Sequence, residues 1–205
     1  MAVSFFVEEK EMFHLFLYKD PGEPAARTSL LKQSVSLYVK NRIPRQSGKE
    51  DGQYCIRRTE KGKPYLVDAL TEAPAEDIHL SISHSGGLWA LLAGPVPCGL
   101  DIQEIKPADW RRLSARFFPE ADLTGIRSEE EGLREFYRLW CRREALAKYT
   151  GLGFFGMSEI RPCLVDKDGN PAAGVIWNGK MVSFKKIPVP EGYLAVWCHE
   201  EGEEE

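Results

Sequence analysis

An α+β fold in two consecutive halves is predicted by three features of this 205-residue sequence. Short strand-like apolar runs occur on both sides of the chain's middle. Each side also carries at least one helical stripe, grouped with its strands rather than alternating strand–helix–strand as a parallel sheet requires. Between them lies Pro95-Val96-Pro97, the expected joint. With 43% hydrophobic residues, the chain can build one large core or two small ones.

The elements follow in order. Phe13 to Tyr18 reads as an early strand. Leu30, Leu31, Ser34, Leu37 and Tyr38 recur at helical spacing and predict an amphipathic helix. Residues 46–52 are polar and read as a loop. Ser81 to Ser85 and Leu88 to Ala93 read as strands joined through Gly86-Gly87. Trp110, Leu113 and Phe117 predict a second helix, and Glu129 to Tyr149 a long third one, ended by Gly151. Beyond it, strands are predicted over 159–165, 174–177, 181–187 and 193–198, with hairpin turns at Asp168-Gly169 and Asn178-Gly179. The stretch 166–170 has the acids of a calcium loop but lacks its bidentate Glu, so a turn is the better reading.

The long helix carries the chemistry. Leu133, Phe136, Tyr137 and Trp140 form an apolar stripe, and the next positions on that face are Glu144 and Lys148. Taken alone, an ordinary solvated i,i+4 pair is the simpler reading of the two. Asp101, beyond the apolar run 88–93, supplies the other reading: an Asp at a strand end and a Glu from a separate helix can share a divalent cation.

These residues belong to a wider ordered set: Gly62-Lys63-Pro64, Ser81-Ile82-Ser83-His84-Ser85, Gly99-Leu100-Asp101-Ile102-Gln103, Arg116-Phe117-Phe118, and Trp140 with Glu144, Ala145 and Lys148, followed by Gly151-Leu152-Gly153. The set resembles the surfactin-type 4′-phosphopantetheinyl transferases in content and order. The sequence departs from that pattern at Gln103, where Glu is usual, and at Cys141 and Arg143 in the helix motif.

The resemblance implies two similar α+β halves packed as an intramolecular pseudodimer with the active site in the cleft between them. Residues 1–97 would contact the adenine and phosphates of coenzyme A, and residues 98–199 would carry the metal and the catalytic groups. It implies transfer of the 4′-phosphopantetheine arm of coenzyme A to a serine of an acidic apo carrier protein, with release of 3′,5′-ADP. The implied metal is magnesium, or manganese, held by Asp101, Gln103 and Glu144. Glu144 and Lys148 would be catalytic, and Lys63, Pro64, Ser83, His84 and Arg27 would bind the donor. Asp122 stands where some members carry an acid that assists deprotonation, although a capping or loop Asp accounts for it as well. His84, Lys63 and Arg27 also admit structural readings, as a strand histidine, a turn lysine and a surface arginine. A non-catalytic coenzyme A or carrier-binding module with a weakened metal site is the alternative that Gln103 raises.

Composition narrows the remaining classes. No run of 18 apolar residues suggests a membrane span. Glu8, Glu9 and Lys10 argue against a signal peptide, and five widely spaced cysteines suit a reducing cytoplasm. Cys141 reads as a small buried side chain. Net charge is −4, of which five acids lie in the tail 200–205, expected to be disordered. No basic run interleaved with aromatics points to nucleic acid. The arginines around the central helices read mostly as solvated faces, for example Arg138 with Glu135, or as a strip for an acidic partner. The protein is expected to be a monomer.

Overall fold

The computed structural model describes residues 3–7, 13–42, 54–124, 126, 131–160 and 162–201. The chain forms two compact units, Met1–Cys98 and Gly99–Glu205, each with a sheet and at least one helix, so the fold is α+β.

The first unit contains β1 (Val3–Val7), β2 (Phe13–Lys19), α1 (Pro24–Arg42), β3 (Tyr54–Arg58), β4 (Pro64–Asp68), β5 (Pro74–Ser85) and β6 (Leu88–Gly94). Its strands pair antiparallel in the order β1-β2-β6-β5-β4-β3. The β5–β6 hairpin turns at Gly86-Gly87, where Gly86 has φ 55° and sits in the left-handed region that suits glycine. Helix α1 packs its Leu31, Val35 and Tyr38 onto Phe16, Leu80, Trp89 and Leu91 of the sheet. Two details correct the expectation for this helix. It begins at Pro24, a residue pre-set for the first helical turn, well before the predicted stripe that starts at Leu30, so Arg27 lies inside the helix. Leu37, assigned to the apolar stripe, is 47% exposed, and Val35 is buried in its place. The polar stretch 46–52 lies outside the described residues.

The second unit contains β7 (Cys98–Glu104, entering it at Gly99), α2 (Trp110–Phe117), α3 (Glu120–Leu123), α4 (Gly132–Thr150), a 3₁₀ turn (Phe154–Glu159), β8 (Gly174–Trp177), β9 (Lys180–Lys186) and β10 (Tyr193–Glu200). The sheet order is β7-β10-β9-β8. Helix α2 starts at Asp109, whose carboxylate accepts the Arg112 N–H at 3.2 Å. Helix α4 lays Phe136, Trp140, Leu146 and Ala147 into the core beside Val182, Val196 and Cys198. It stops at Gly151, φ 74°, as a left-handed cap. The β8–β9 hairpin turns through Asn178 and Gly179, both at positive φ, as an Asn-Gly pair favours.

Three expectations for this unit are corrected. The predicted strand over 159–165 is instead the end of the 3₁₀ turn and an irregular segment, with a single bridge between Val165 and Pro171. Ile160 and Leu164 are buried one by one in the helical core rather than along a sheet face. The 166–170 turn therefore closes that bridge rather than a hairpin of two strands; Asp166 Oδ1 accepts from the N–H groups of Asp168 and Asn170. The tail is also partly structured. Glu200 completes β10, accepting from Lys180 Nζ at 2.6 Å and Tyr149 OH at 3.1 Å, and Glu201 accepts from Ser183 Oγ. These partners order the first two of the acids; residues 202–205 lie outside the described residues.

Candidate active site

The site is made by β7 and α4 of the second unit touching main chain to main chain. A Cβ on Gly99 would strike the carbonyl oxygen of Ala145 and come within 2.7 Å of the Tyr149 nitrogen, so only glycine permits the approach. Two residues along β7, Asp101 turns its carboxylate to the same helix. It is 1% exposed and accepts a hydrogen bond from Lys148 Nζ at 2.7 Å. Glu144, one turn earlier on α4, lies 4.0 Å from the same ammonium. Lys148 is therefore no solvated i,i+4 partner of Glu144; its close partner is a buried carboxylate on another element.

Electrostatics make the cluster responsive near neutrality. Burial, with the neighbouring Asp101 charge, pushes the Glu144 carboxyl up to about 7, against the opposing pull of Lys148 and a hydrogen bond from Trp140. Two carboxylates thus face one ammonium, which leaves negative charge uncompensated in a desolvated place. A divalent cation relieves that imbalance. Among the described residues no group of three or more His, Cys, Asp or Glu converges. A cation at Asp101 and Glu144 would complete its shell from water and substrate phosphate, as magnesium does. The residues fit the metal in that sense.

Gln103 does not stand in for the missing acid. Its amide nitrogen donates to Asp101 Oδ2 at 3.0 Å, so it supports the carboxylate from behind its hydrogen-bonding edge rather than adding charge. That bond uses the amide nitrogen, and the amide oxygen remains the atom that a cation at Asp101 would take. Glu104 is engaged with Lys106 at 2.6 Å, as the alternation of faces along a strand predicts.

Asp122 is also removed from the catalytic candidates. Its side chain is fully buried, paired with Arg143 and accepting the Leu164 N–H at 2.6 Å. Arg143 in turn donates to the Ile160 carbonyl at 2.8 Å. The pair fastens Ile160 and Leu164 to α4, and the planar arginine fork reaches both of its acceptors where a lysine would reach one. Cys141 is buried with its thiol on the Leu194 carbonyl, and burial pushes it well above the usual thiol range, so it is no nucleophile at neutral pH. Trp140 was read as an apolar stripe residue and as the first residue of the helix motif, with no polar role assigned to it. Its indole bond to Glu144, one turn on, gives it a second role that helical spacing alone could have suggested.

The donor-binding candidates lie in the first unit, and the structure gathers only some of them. Arg27 and His84 line one cavity of about 350 Å³, with Trp89 and Ile82 from the sheet and Arg58 from β3. His84 and Ile82 are two apart on β5, and Trp89 faces His84 across the hairpin, so all three share a face. Ser83 projects to the opposite, buried side. Lys63 and Pro64 sit in and just after the β3–β4 turn, where Lys63 N–H donates to Thr59 Oγ1, and neither lines the cavity. Their hairpin contributes Arg58 instead, paired in register with Pro64 and donating to the Gly62 carbonyl at 2.8 Å. Arg27 is held by Asp20 through two bonds of 2.8 and 2.7 Å. That guanidinium holds the Asp20 carboxyl below the usual range, with a smaller contribution from His84. Arg58 and Asp20 were not identified from sequence; their place in register opposite Pro64 and seven residues before Arg27 is visible only once the strands are paired.

Comparison with known proteins agrees with this geometry. The profile of the 4′-phosphopantetheinyl transferase superfamily matches residues 97–196, the stretch that carries β7 and α4. The transferase Sfp of Bacillus subtilis is 30% identical over 194 residues, 93% of this chain and 80% of that protein. The chain belongs to the 4′-phosphopantetheinyl transferase superfamily, a family of enzymes. Two further relatives match over shorter stretches. The Nostoc transferase HetI is 33% identical over 122 residues, 57% of this chain and 50% of that protein. AcpT of Escherichia coli O157:H7 is 35% identical over 99 residues, 45% of this chain and 46% of that protein. Over these two the chain spans about half the relative's length.

Proposed function

We propose that this chain transfers the 4′-phosphopantetheine arm of coenzyme A to a serine of an acidic apo carrier protein, releasing 3′,5′-ADP. The observation that carries the reading is the buried Asp101–Lys148 contact with Glu144 beside it, on the two motifs that the family profile spans. The serine oxygen attacks the phosphorus that bears the pantetheine arm, the bond to the bridging diphosphate oxygen breaks, and the serine proton must leave. Glu144, held near neutrality in its affinity for protons, accepts it directly or through a water. The Lys148 ammonium neutralises charge on the leaving phosphate. Magnesium bound at Asp101 and Glu144 would supply the remaining charge neutralisation on the diphosphate. In the first unit, Arg27, Arg58 and His84 offer cationic or hydrogen-bonding groups for the phosphates of the donor, and Trp89 an aromatic wall. Lys63 does not line that cavity, and its hairpin contributes Arg58 there.

The protein would act as a monomer in a reducing cytoplasm, where its five cysteines stay as the free thiols seen here. No helix among the described residues is long and apolar enough to cross a membrane. The test is direct. Incubated with coenzyme A, magnesium and an apo carrier protein, the enzyme should increase the carrier's mass by one phosphopantetheine. A carrier of unchanged mass, with coenzyme A bound but intact, would defeat the proposal.

A further inference from the structure

Helix α4 carries Arg134, Arg138 and Arg142 at four-residue spacing, so their stems leave one helical face. With Lys186 from the end of β9 they line a cavity of about 400 Å³ within the second unit. Its apolar wall includes Val189 and Leu194, and no acidic residue lines it. Among the described residues none of the four cations forms an ion pair, so Arg138 does not pair with Glu135 as the sequence suggested.

Arg142 is the decisive member. It is 5% exposed, and its guanidinium donates only to main-chain carbonyls, those of Ala172 at 3.4 Å and Arg138 at 3.3 Å. The guanidinium carbon lies 5.8 Å from the Phe184 ring centre. A desolvated cation beside further cations is unfavourable until an anion joins it. The cavity wall is preformed. Ile187 N–H donates to the Ala195 carbonyl at 3.1 Å and Tyr193 N–H to that of Pro190 at 3.2 Å, while Pro188 and Pro190 restrict the loop between them.

We propose that this cavity is a second anion site, built for a free organic phosphate monoester carrying a small apolar or aromatic body. A phosphate brings two charges and three oxygens to a cluster of guanidiniums that can grip it in bidentate fashion, whereas a single carboxylate leaves most of the positive charge uncompensated. The volume lies in the range of small-molecule sites, and the apolar wall receives what the phosphate carries. None of its lining residues belongs to the Asp101 cluster or to the Arg27–His84 cavity, so the site is additional to the proposed transferase machinery.

The test uses phenyl phosphate, titrated calorimetrically into full-length protein carrying Arg27→Ala and His84→Ala, which removes phosphate contacts in the first unit. Saturable binding at one site is expected. Adding Arg138→Ala should weaken it at least tenfold, and Arg138→Lys should restore part of the loss. Inorganic phosphate should bind the parent protein severalfold more weakly than phenyl phosphate. Unchanged affinity on Arg138→Ala, no binding at millimolar ligand, or equal binding of the two phosphates would each overturn the proposal. Arg138 is half-buried and truncating it should leave melting unaffected; if it does not, Lys186→Ala supplies the same comparison at an exposed position.

Discussion

Lys148 binds Asp101 at 2.7 Å and stands 4.0 Å from Glu144, although Glu144 is its neighbour by one helical turn. The ammonium thus serves the strand carboxylate first. It holds a buried negative charge in place before any metal or substrate arrives, and it ties α4 to β7 next to the main-chain contact at Gly99.

Glu144→Gln keeps the side chain's shape and removes its charge and basicity. Turnover should fall by about a hundredfold or more, the scale of losing a general base. Melting should stay close to that of the parent protein. Single-turnover transfer to an apo carrier and a thermal scan measure the two together; undiminished turnover would exclude Glu144 from proton transfer.

The pH dependence has a defined sign. The folded protein raises Glu144 from 4.5 to about 7, so between those values the native state holds a proton that the unfolded chain has lost. Its contribution to stability is therefore greatest below pH 4.5, declines as pH rises through the window, and is least above 7. Glu144→Gln should flatten the fall of melting temperature between pH 5 and 7. Magnesium, which needs the carboxylate, should bind more weakly at pH 6 than at pH 8.

Gln103→Glu replaces an N–H donor to Asp101 with a third negative charge. The metal-free protein should melt lower, and magnesium should bind severalfold more tightly at pH 8. Metal titration followed by melting reads both. Identical metal midpoints in the two proteins would show that residue 103 does not face the ion.

His84→Ala should raise the KM for coenzyme A more than that for its 3′-dephospho form, because the lost contact is to a phosphate. Arg58→Ala should behave in the same direction, since it lines the same cavity. An equal rise for both donors would return His84 to the role of a strand residue.

Asp122→Ala leaves Arg143 buried and unpaired, and should destabilise the fold by about 3–5 kcal/mol. Asp122→Ala with Arg143→Met should recover much of that loss. Denaturant unfolding measures it. If Asp122→Ala instead lost activity with unaltered stability, the pair would be chemical rather than structural.

The second unit's site was legible because its signals are local. Helical spacing put Glu144 and Lys148 on the face of Trp140, whereas Asp101, read as a strand end beyond the apolar run 88–93, lies in the middle of a separate strand, β7. What escaped is tertiary. Nothing local shows that Asp122 and Arg143 meet, 21 residues apart, or that Gln103 turns its nitrogen to Asp101. Ile160 and Leu164 resemble strand residues in composition, yet each fills a hole in a helical core. In the first unit Ser83 and His84 are adjacent in sequence and so fall on opposite faces of β5. Reading the segment as a block of donor contacts ignored the period of two.

The contact at Gly99 works as a gauge. Because β7 and α4 already touch through their backbones, main-chain packing sets how closely the elements that carry Asp101 and Glu144 approach. Gly99→Ala would force the elements apart, with overpacking of about 1–3 kcal/mol, and would widen the bite between the two carboxylates. For the cation proposed at Asp101 and Glu144, a change at this residue, which touches no ligand, would shift ion-size preference and folding stability together.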